Sequence, residues 1–206
     1  MKMKIWISAL LIQGLLACAI QQPPIDSAQW RLMPERAGTA KNTQIPYWLT
    51  QGTISVTSPF DSKSFVYRLD DQKYEKDFYN NFITLPSEMV ATATRQWLNQ
   101  AGIFQFAVGN SNTLMPVYLL QGTVDSMYTD FRAGQKPAAV ISIEYYLSSA
   151  DGKSKNNILF RKKYQKREPI SDNSAKTIAN AQQIALAKIL AELEEDLFLA
   201  SKSFPK

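Results

Sequence analysis

The chain of 206 residues contains no histidine and only one cysteine, Cys18. Because histidine is absent, Ser-His-Asp and Cys-His catalysis are excluded, and the commonest protein ligand for zinc is missing. A lone cysteine forms no intramolecular disulfide, so in an oxidising compartment the fold depends on its apolar core. Hydrophobic residues make up 45% of the sequence, which is enough for such a core in a domain of this length.

A strong excess of one charge is also missing. The formal net charge is +5, milder than in dedicated nucleic-acid binders, so we expect no nucleic-acid partner. A carboxylate pair could still hydrolyse glycosides, but the acidic residues lie in patterns typical of turns and solvated helix faces. We expect a protein that is not an enzyme and binds no metal or cofactor. The acidic residues considered are Asp70, Asp71, Glu75, Asp77, Glu194, Glu195 and Asp196.

The first residues are typical of an export signal. Lys2 and Lys4 supply positive charge, and residues 5–16 form an apolar segment shorter than the roughly 20 residues that span a bilayer. The run Leu15-Leu16-Ala17-Cys18 resembles the lipobox of bacterial lipoproteins. This resemblance implies cleavage just before the cysteine and a covalent lipid on Cys18. The alternative is an ordinary buried thiol near a conventional signal peptide.

The residue after the cysteine is Ala19, where inner-membrane lipoproteins of enterobacterial type carry Asp. By resemblance to that sorting rule, we expect a lipid anchor on the periplasmic face of the outer membrane of a Gram-negative envelope. The predicted division is a signal peptide (1–17), a lipidated N-terminus and tether (18–50), and one folded domain (51–206). Prolines and a lack of periodicity indicate the tether. The prolines concerned are Pro23, Pro24, Pro34 and Pro46.

Apolar and polar residues alternate along several short segments, which predicts β-strands. The segments 65–69 and 74–82 predict a hairpin, with Phe78 and Phe82 on one face. In the second half, three long alternating segments predict an antiparallel meander with one buried face. The predicted strands are Trp30–Leu32, Gly52–Val56, Phe65–Leu69, Tyr74–Phe82, Phe104–Val108, Tyr118–Val124, Ile141–Leu147 and Ile158–Arg167.

Two amphipathic helices complete the predicted fold. The first begins at Pro86, since proline is tolerated in a first turn, and ends at Gly102. The second follows a cap at Ser171-Asp172. The sequence therefore predicts an α+β fold, with a single mixed, largely antiparallel sheet and both helices packed on one face. The apolar stripe of the second helix consists of Ile178, Ala181, Ala185, Ile189, Leu193 and Leu197.

Several of these segments resemble the ABC-type transport auxiliary lipoproteins, a family that includes the PqiC-like lipoproteins associated with MCE (mammalian cell entry) proteins. The likeness runs from about residue 30 to the C-terminus. The segments that carry it are Ile54–Val56, Pro59-Phe60, Ser64–Arg68, Tyr74–Phe82, Trp97-Leu98, Leu120–Val124 and Ala175–Leu199.

The resemblance implies a non-catalytic, lipid-anchored component that docks a periplasmic MCE assembly at the outer membrane. It also implies an ABC permease and ATPase as partners, and the sequence has no P-loop of its own. Self-association into a homo-oligomer is a further expectation for such an adaptor. Two alternatives stay open: a lipid carrier, and an outer-membrane assembly or secretion lipoprotein.

Two groups of side chains are candidate surfaces. The hairpin aromatics Phe65, Tyr67, Tyr74 and Tyr79 are a candidate partner interface, and core packing is the alternative. The basic residues Arg161, Lys163 and Arg167 are a candidate contact with anionic lipid or an acidic partner. For the basic segment, the alternative is an edge strand whose lysines prevent aggregation.

Overall fold

The computed structural model describes residues 27–42, 45–109, 117–149 and 158–204. The predicted signal peptide, Cys18 and the predicted turn at residues 151–152 lie outside them. The described strands are β1 (Ala28–Trp30), β2 (Leu49–Val56), β3 (Ser64–Arg68), β4 (Tyr74–Phe82), β5 (Ala107–Gly109), β6 (Tyr118–Asp130), β7 (Ala138–Ser149) and β8 (Ile158–Pro169). The helices are α1 (Pro86–Ala101) and α2 (Ala175–Ala200), and a 3-10 turn (Ser201–Ser203) follows α2.

All the described strands belong to one mixed sheet, in which β6 is the central strand. On one side, β6 pairs antiparallel with β7, which pairs antiparallel with β8. On its other side, β6 is long enough to hold two parallel neighbours, β2 along its first half and β3 at its end. From there β2 continues to β5, while β3 continues to β4 and then to β1. The α+β fold with one mixed sheet and two helices is confirmed.

The helices bury their apolar stripes on this sheet. The predicted stripe of α2 is fully buried, and α2 packs on β7 and β8 while α1 packs on β2 and β5. Gly102 ends α1 in the left-handed conformation, φ 68°, and its N–H donates to the carbonyl of Leu98. The predicted cap of α2 at Ser171-Asp172 is two to three residues early, because the capping residue is Ser174, whose hydroxyl accepts from the N–H of Thr177. None of the helices in the described residues is long and apolar enough to cross a bilayer.

The predicted tether is wrong for residues 28–42 and 45–50, which belong to the folded domain. Strand β1 pairs in parallel with β4, and Leu32, Ile45 and Leu49 are buried in the core. Leu49 begins β2, whereas Leu32 and Ile45 enter the core singly from an irregular, proline-containing path that shows no helix or strand period. The folded domain therefore includes described residues that precede the predicted boundary at residue 51.

Candidate functional site

Phe65 lies in the centre of the core, with no exposed surface. Its ring centroid is 4.7 Å from that of Phe82 and 6.5 Å from that of Trp30. The prediction that Phe65 forms a partner interface is therefore wrong. Strand β3 is covered on both faces at this point, so its aromatic position packs inside the domain.

Tyr67 and Tyr74 are half-buried and make internal contacts. The Tyr67 hydroxyl donates to Asp77 Oδ2 at 2.5 Å, and partial burial together with this bond raises the pKa of the tyrosine. Tyr74 packs edge-on against Phe60 and Tyr128, with centroid distances of 5.8 and 5.7 Å. Core packing, the alternative interpretation, accounts for the hairpin aromatics except Tyr79.

Tyr79 and its neighbour Phe78 form the exposed part of the hairpin, with 54% and 88% of their surfaces accessible. We call these two residues the aromatic edge. The prediction that Phe78 shares a face with Phe82 is wrong, because Phe82 is only 3% exposed. A period of two cannot be continued from residue 82 back to residue 78.

The period breaks because β4 carries an irregularity opposite β3. Asn81 pairs with Ser64, but Lys76 pairs with Val66, so extra residues of β4 lie between these two positions. Asp77 holds the extra residues in a local turn. Its Oδ1 accepts from the N–H groups of Tyr79 and Asn80, at 2.7 and 3.0 Å. This turn directs both aromatic side chains outward.

The hydrogen bonds around Asp77 show that its ionised form is part of the fold. Partial burial alone would raise the pKa of this carboxyl. The bonds from the Tyr67 hydroxyl, the Asn80 side chain and the two backbone amides outweigh burial and lower the pKa below its ordinary value. The carboxylate therefore fixes the bulge at neutral pH.

The aromatic edge lies beside the first strand of the domain. In the parallel β1–β4 ladder, Ala28 lies opposite Asn80, one residue after Tyr79. Trp30 strengthens this pairing, since its indole N–H donates to Asn80 Oδ1 at 3.2 Å. Residues 74–79 of β4 extend beyond the reach of β1. The described part of the sheet therefore ends there in an edge that carries exposed aromatics.

Basic side chains follow the same edge. Arg31 comes directly after β1, Lys76 lies on β4, and Lys63 donates to the carbonyl of Ile83 at 3.1 Å. All three are exposed, and within the described residues none of them forms an ion pair with an acidic side chain. This edge therefore combines unpaired positive charge with apolar rings.

The predicted basic surface on β8 has a different character. Arg161 pairs with Glu144 at 2.8 Å, and Lys163 pairs with Asp125 at 2.7 Å. Lys162 and Lys166 bind acidic residues of α2. In the described chain, β8 pairs only with β7, as the edge-strand alternative predicts. The positive charges of this strand are largely neutralised by acids on neighbouring elements.

Arg167, the third candidate of the basic group, is part of an internal clamp. Its Nη1 lies 2.6 Å from Asp130 Oδ2, and Arg132 holds the same carboxylate from the other side. The Asp130 side chain has no exposed surface. Hydrogen bonds from Arg132 and Arg167 lower the pKa of Asp130 far below its ordinary value, although burial opposes them. Arg167 therefore connects β8 to the end of β6.

A buried ion pair that the sequence analysis missed joins the N-terminal segment to α2. Arg36 holds both carboxylate oxygens of Glu194 at 2.8 Å, and the Trp97 indole N–H donates to Oε2 at 2.8 Å. Interpreting Glu194 as solvated was wrong. The available signal was its helical spacing with Leu190 and Leu197, which are buried on the same face. This pair fastens residues 31–36 against both helices.

A cleft with a volume of about 310 Å³ lies between the segment 31–33 and α1. Leu32, Met33 and Met89 give it apolar walls, while Glu88 and Arg31 add charge. Its volume corresponds to about ten water molecules, which is far less than a phospholipid requires. In the residues that the structure covers, no cluster of three or more metal-ligating side chains occurs.

Comparison with known proteins identifies the fold. No family model matches the chain, and no curated protein matches it. Among solved structures, it is similar to protein XCC0632 from Xanthomonas campestris, labelled DUF330, with a TM-score of 0.68 and 18% identity over 85% of this chain and 95% of that one. The two share a fold.

Two further solved structures are similar over shorter parts of the chain. An uncharacterised protein matches with a TM-score of 0.60 and 14% identity, over 78% of this chain and 96% of its own. The hypothetical protein CT253 from Chlamydia trachomatis matches with a TM-score of 0.51 and 6% identity, over 72% and 96%. At these identities the likeness concerns architecture alone.

Proposed function

We propose that the protein is a non-catalytic, lipid-anchored component of an MCE/ABC-type system that moves lipid between two membranes. In this proposal Cys18 carries the covalent lipid and holds the chain at the periplasmic face of the outer membrane. The folded domain docks the periplasmic MCE assembly, and the ABC permease and ATPase supply the energy. The lipobox-like run before Cys18 supports the anchor, and the family resemblance supports the partners.

The observation that carries the proposal is how the resembling segments combine in the fold. Residues 54–56 and 120–124 lie side by side at the centre of the sheet, with Ile54 opposite Gly122 and Val56 opposite Val124. A Cβ atom at Gly122 would lie 2.9 Å from the carbonyl oxygen of Glu144, so this strand needs glycine there. The resemblance therefore involves the structural centre of the domain.

The carrier alternative receives less support. A carrier must enclose acyl chains, and the cleft beside α1 measures only about 310 Å³. A shallower neighbouring depression of about 620 Å³ has mainly polar walls, which include Glu35, Gln96 and Gln100. Neither suits two acyl chains, whereas an adaptor requires only exposed surface.

The proposal is tested by crosslinking in the native envelope. The tagged full chain, expressed from its own locus, is crosslinked in cells, purified and analysed by mass spectrometry for its partners and for the mass of its N-terminal peptide. We expect an acylated Cys18 peptide and co-purified MCE and permease proteins. A Cys18→Ser chain is the matched control, which we expect to leave the membrane fraction. An acylated protein with a different partner set would contradict the transport role, and an unacylated Cys18 would contradict the anchor.

A further inference from the structure

We infer that the aromatic edge, Phe78 and Tyr79, rests on the bilayer surface that holds the lipidated N-terminus. The domain then lies against the membrane by one defined edge of its sheet rather than rotating freely on its anchor. This inference rests on the proposed acylation of Cys18. It adds a second, non-covalent membrane contact formed by the folded domain itself.

The position of the anchor is the first argument. About ten residues separate Cys18 from Ala28, and a fully extended chain of that length reaches about 35 Å. Ala28 pairs with Asn80, and adjacent strands lie about 4.8 Å apart. Tyr79 and Phe78 come one and two residues before Asn80. The aromatic edge is therefore beside Ala28, about ten residues along the chain from the proposed anchor.

The chemistry of the edge is the second argument. Tyrosine is favoured at membrane interfaces because its ring is apolar and its hydroxyl is polar, and phenylalanine adds apolar area that can enter the acyl boundary. Phe78 exposes 88% of its surface, which gives no benefit in water. Lys76 lies on β4 two residues before Phe78, and Lys63 lies at the end of β4 beside Ile83; neither pairs with an acid among the described residues, so both cations suit anionic headgroups. Bulges and lysines also protect edge strands from pairing, but that role does not need exposed rings.

The rigidity of the bulge is the third argument. Asp77 accepts two backbone N–H bonds, and its other oxygen accepts from Tyr67 and from the Asn80 side chain. The two rings are therefore held outward before any membrane is met. Little conformational entropy of the backbone is lost when they enter an interface.

The opposite edge of the sheet provides a matched control. Ile158 begins β8 and exposes 59% of its surface, so it is also an accessible apolar side chain on an edge strand. The cations of that strand are paired with acids, and β1 lies at the other end of the strand order. The inference places Phe78 in the membrane and leaves Ile158 in water.

The test uses the lipidated full chain, reconstituted in vesicles of phosphatidylethanolamine and phosphatidylglycerol. Phe78→Cys and Ile158→Cys chains are labelled with a polarity-sensitive thiol dye, and a parallel set of vesicles contains brominated acyl chains. We expect a blue shift and quenching by the brominated lipid at position 78, and neither change at position 158. Both substitutions replace exposed side chains, so we expect both chains to fold.

Three results would overturn the inference. If the dye at position 78 has the spectrum of a dye in water, and the wild-type chain is not labelled because its cysteine carries lipid, the membrane contact is refuted and the anchor is not. A blue shift without quenching means that a protein surface, such as a second copy of the chain, covers the edge. Dye uptake by the wild-type chain shows a free Cys18 and refutes the proposed anchor together with the inference.

Discussion

Each of the two edges of the sheet contains a run of residues that suggests a binding surface in the sequence, but only one of the two runs is available for binding in the structure. The β8 end has the densest run of positive charge in the chain, and the β4 end has the densest run of aromatic residues. In the fold, the charges of β8 are neutralised, whereas part of the aromatic run and three unpaired cations face solvent at the other edge. Residue density along a chain therefore does not indicate which surface is available for binding.

Strand register explains the difference. Lys163 lies directly opposite Glu144 in the β7–β8 ladder, and Asp125 on the next strand comes within 2.7 Å of its ammonium group. Acids on β6 and β7 thus face bases on β8, an arrangement that stabilises cross-strand pairs. On β4, the turn at Asp77 shifts the register, so that Phe78, which a regular strand would place on the same face as Phe82, is exposed instead. Pairing with acids therefore neutralises the cations of β8, whereas the bulge in β4 leaves the aromatic side chains of that edge exposed.

Replacing the buried acid at the β8 end is expected to have the largest effect. Asp130→Ala leaves the partly exposed Arg132 and Arg167 without their shared carboxylate; a hydrogen bond to a charged group contributes about 1.5–3 kcal/mol, so losing the bonds from both arginines should cost about 3 kcal/mol or more. The free energy of unfolding, measured by denaturant titration, should fall by about that amount. Glu144→Gln, at an exposed pair, is the control and should cost less than about 1 kcal/mol. Equal losses would mean that Asp130 is not the clamp.

Removing the turn at Asp77 in β4 should lower the free energy of unfolding by less. Asp77→Ala deletes the acceptor of two backbone N–H groups and of the Tyr67 hydroxyl, and lost hydrogen bonds of this kind cost about 1–3 kcal/mol. Asp77→Asn keeps one oxygen acceptor and should lose less. The measurement is denaturant unfolding combined with proteolysis of residues 74–82, which should become faster in the alanine variant. Unchanged stability in both variants would show that the bulge is held by other contacts.

Acidification should weaken both edges in the same pH range. Asp77 and Asp130 have pKa values lowered by folding, so their contributions are present above the unfolded value of about 3.9 and are lost as pH falls below it. Glu194 follows the same rule, because its bonds to Arg36 and Trp97 outweigh burial and lower its pKa. The melting temperature should be nearly constant from neutral pH to about pH 5 and then fall.

The acid transition also has a matched control. In the Asp77→Asn chain, one of the carboxyls whose pKa is lowered by folding is removed, so the decline in melting temperature between about pH 5 and pH 3 should be shallower than in the wild type. An equally steep decline would assign the acid sensitivity of the fold to the other carboxyls of this kind, Asp70, Asp130, Asp172 and Glu194.

Whether a feature of the fold or of the candidate site was predictable from the sequence depends on the kind of contact that forms it. The α+β class, the meander and the stripe of α2 were predictable because each depends on a local period of two or 3.6 residues. Burial of Leu32 and Ile45 was not, since these residues enter the core from an irregular path. The exposure of Phe78 was hidden for a related reason, because it depends on Asp77 bonding to its own backbone. The Arg36–Glu194 pair joins residues 158 positions apart, which no local pattern reports.

Reversing the charges on β8 and at the β1–β4 edge compares the two edges directly, and the expected changes in stability are smaller than those of the aspartate variants. Arg161→Glu with Lys163→Glu breaks only exposed pairs, which should cost less than about 1 kcal/mol each. In the lipidated chain on anionic vesicles, this variant should leave the fluorescence of a dye at position 78 unchanged. Lys63→Glu with Lys76→Glu should shift that fluorescence toward its value in water, and added salt should do the same. An effect of the β8 variant alone would restore the basic strand as the contact with anionic lipid.

Replacing the two residues of the aromatic edge should change the stability of the domain least and its contact with the membrane most. Phe78→Ser with Tyr79→Ser removes two exposed rings, and surface substitutions of this kind alter the free energy of unfolding by no more than about 0.5 kcal/mol. On vesicles, proteolysis at the β1–β4 edge should nevertheless become faster, because the bilayer no longer shields it. Phe65→Ala is the contrasting control, since a buried phenylalanine costs about 3–5 kcal/mol when truncated. If the double serine variant destabilises the domain like Phe65→Ala, the two rings belong to the core. If it changes neither stability nor shielding, the aromatic edge has no contact with the membrane.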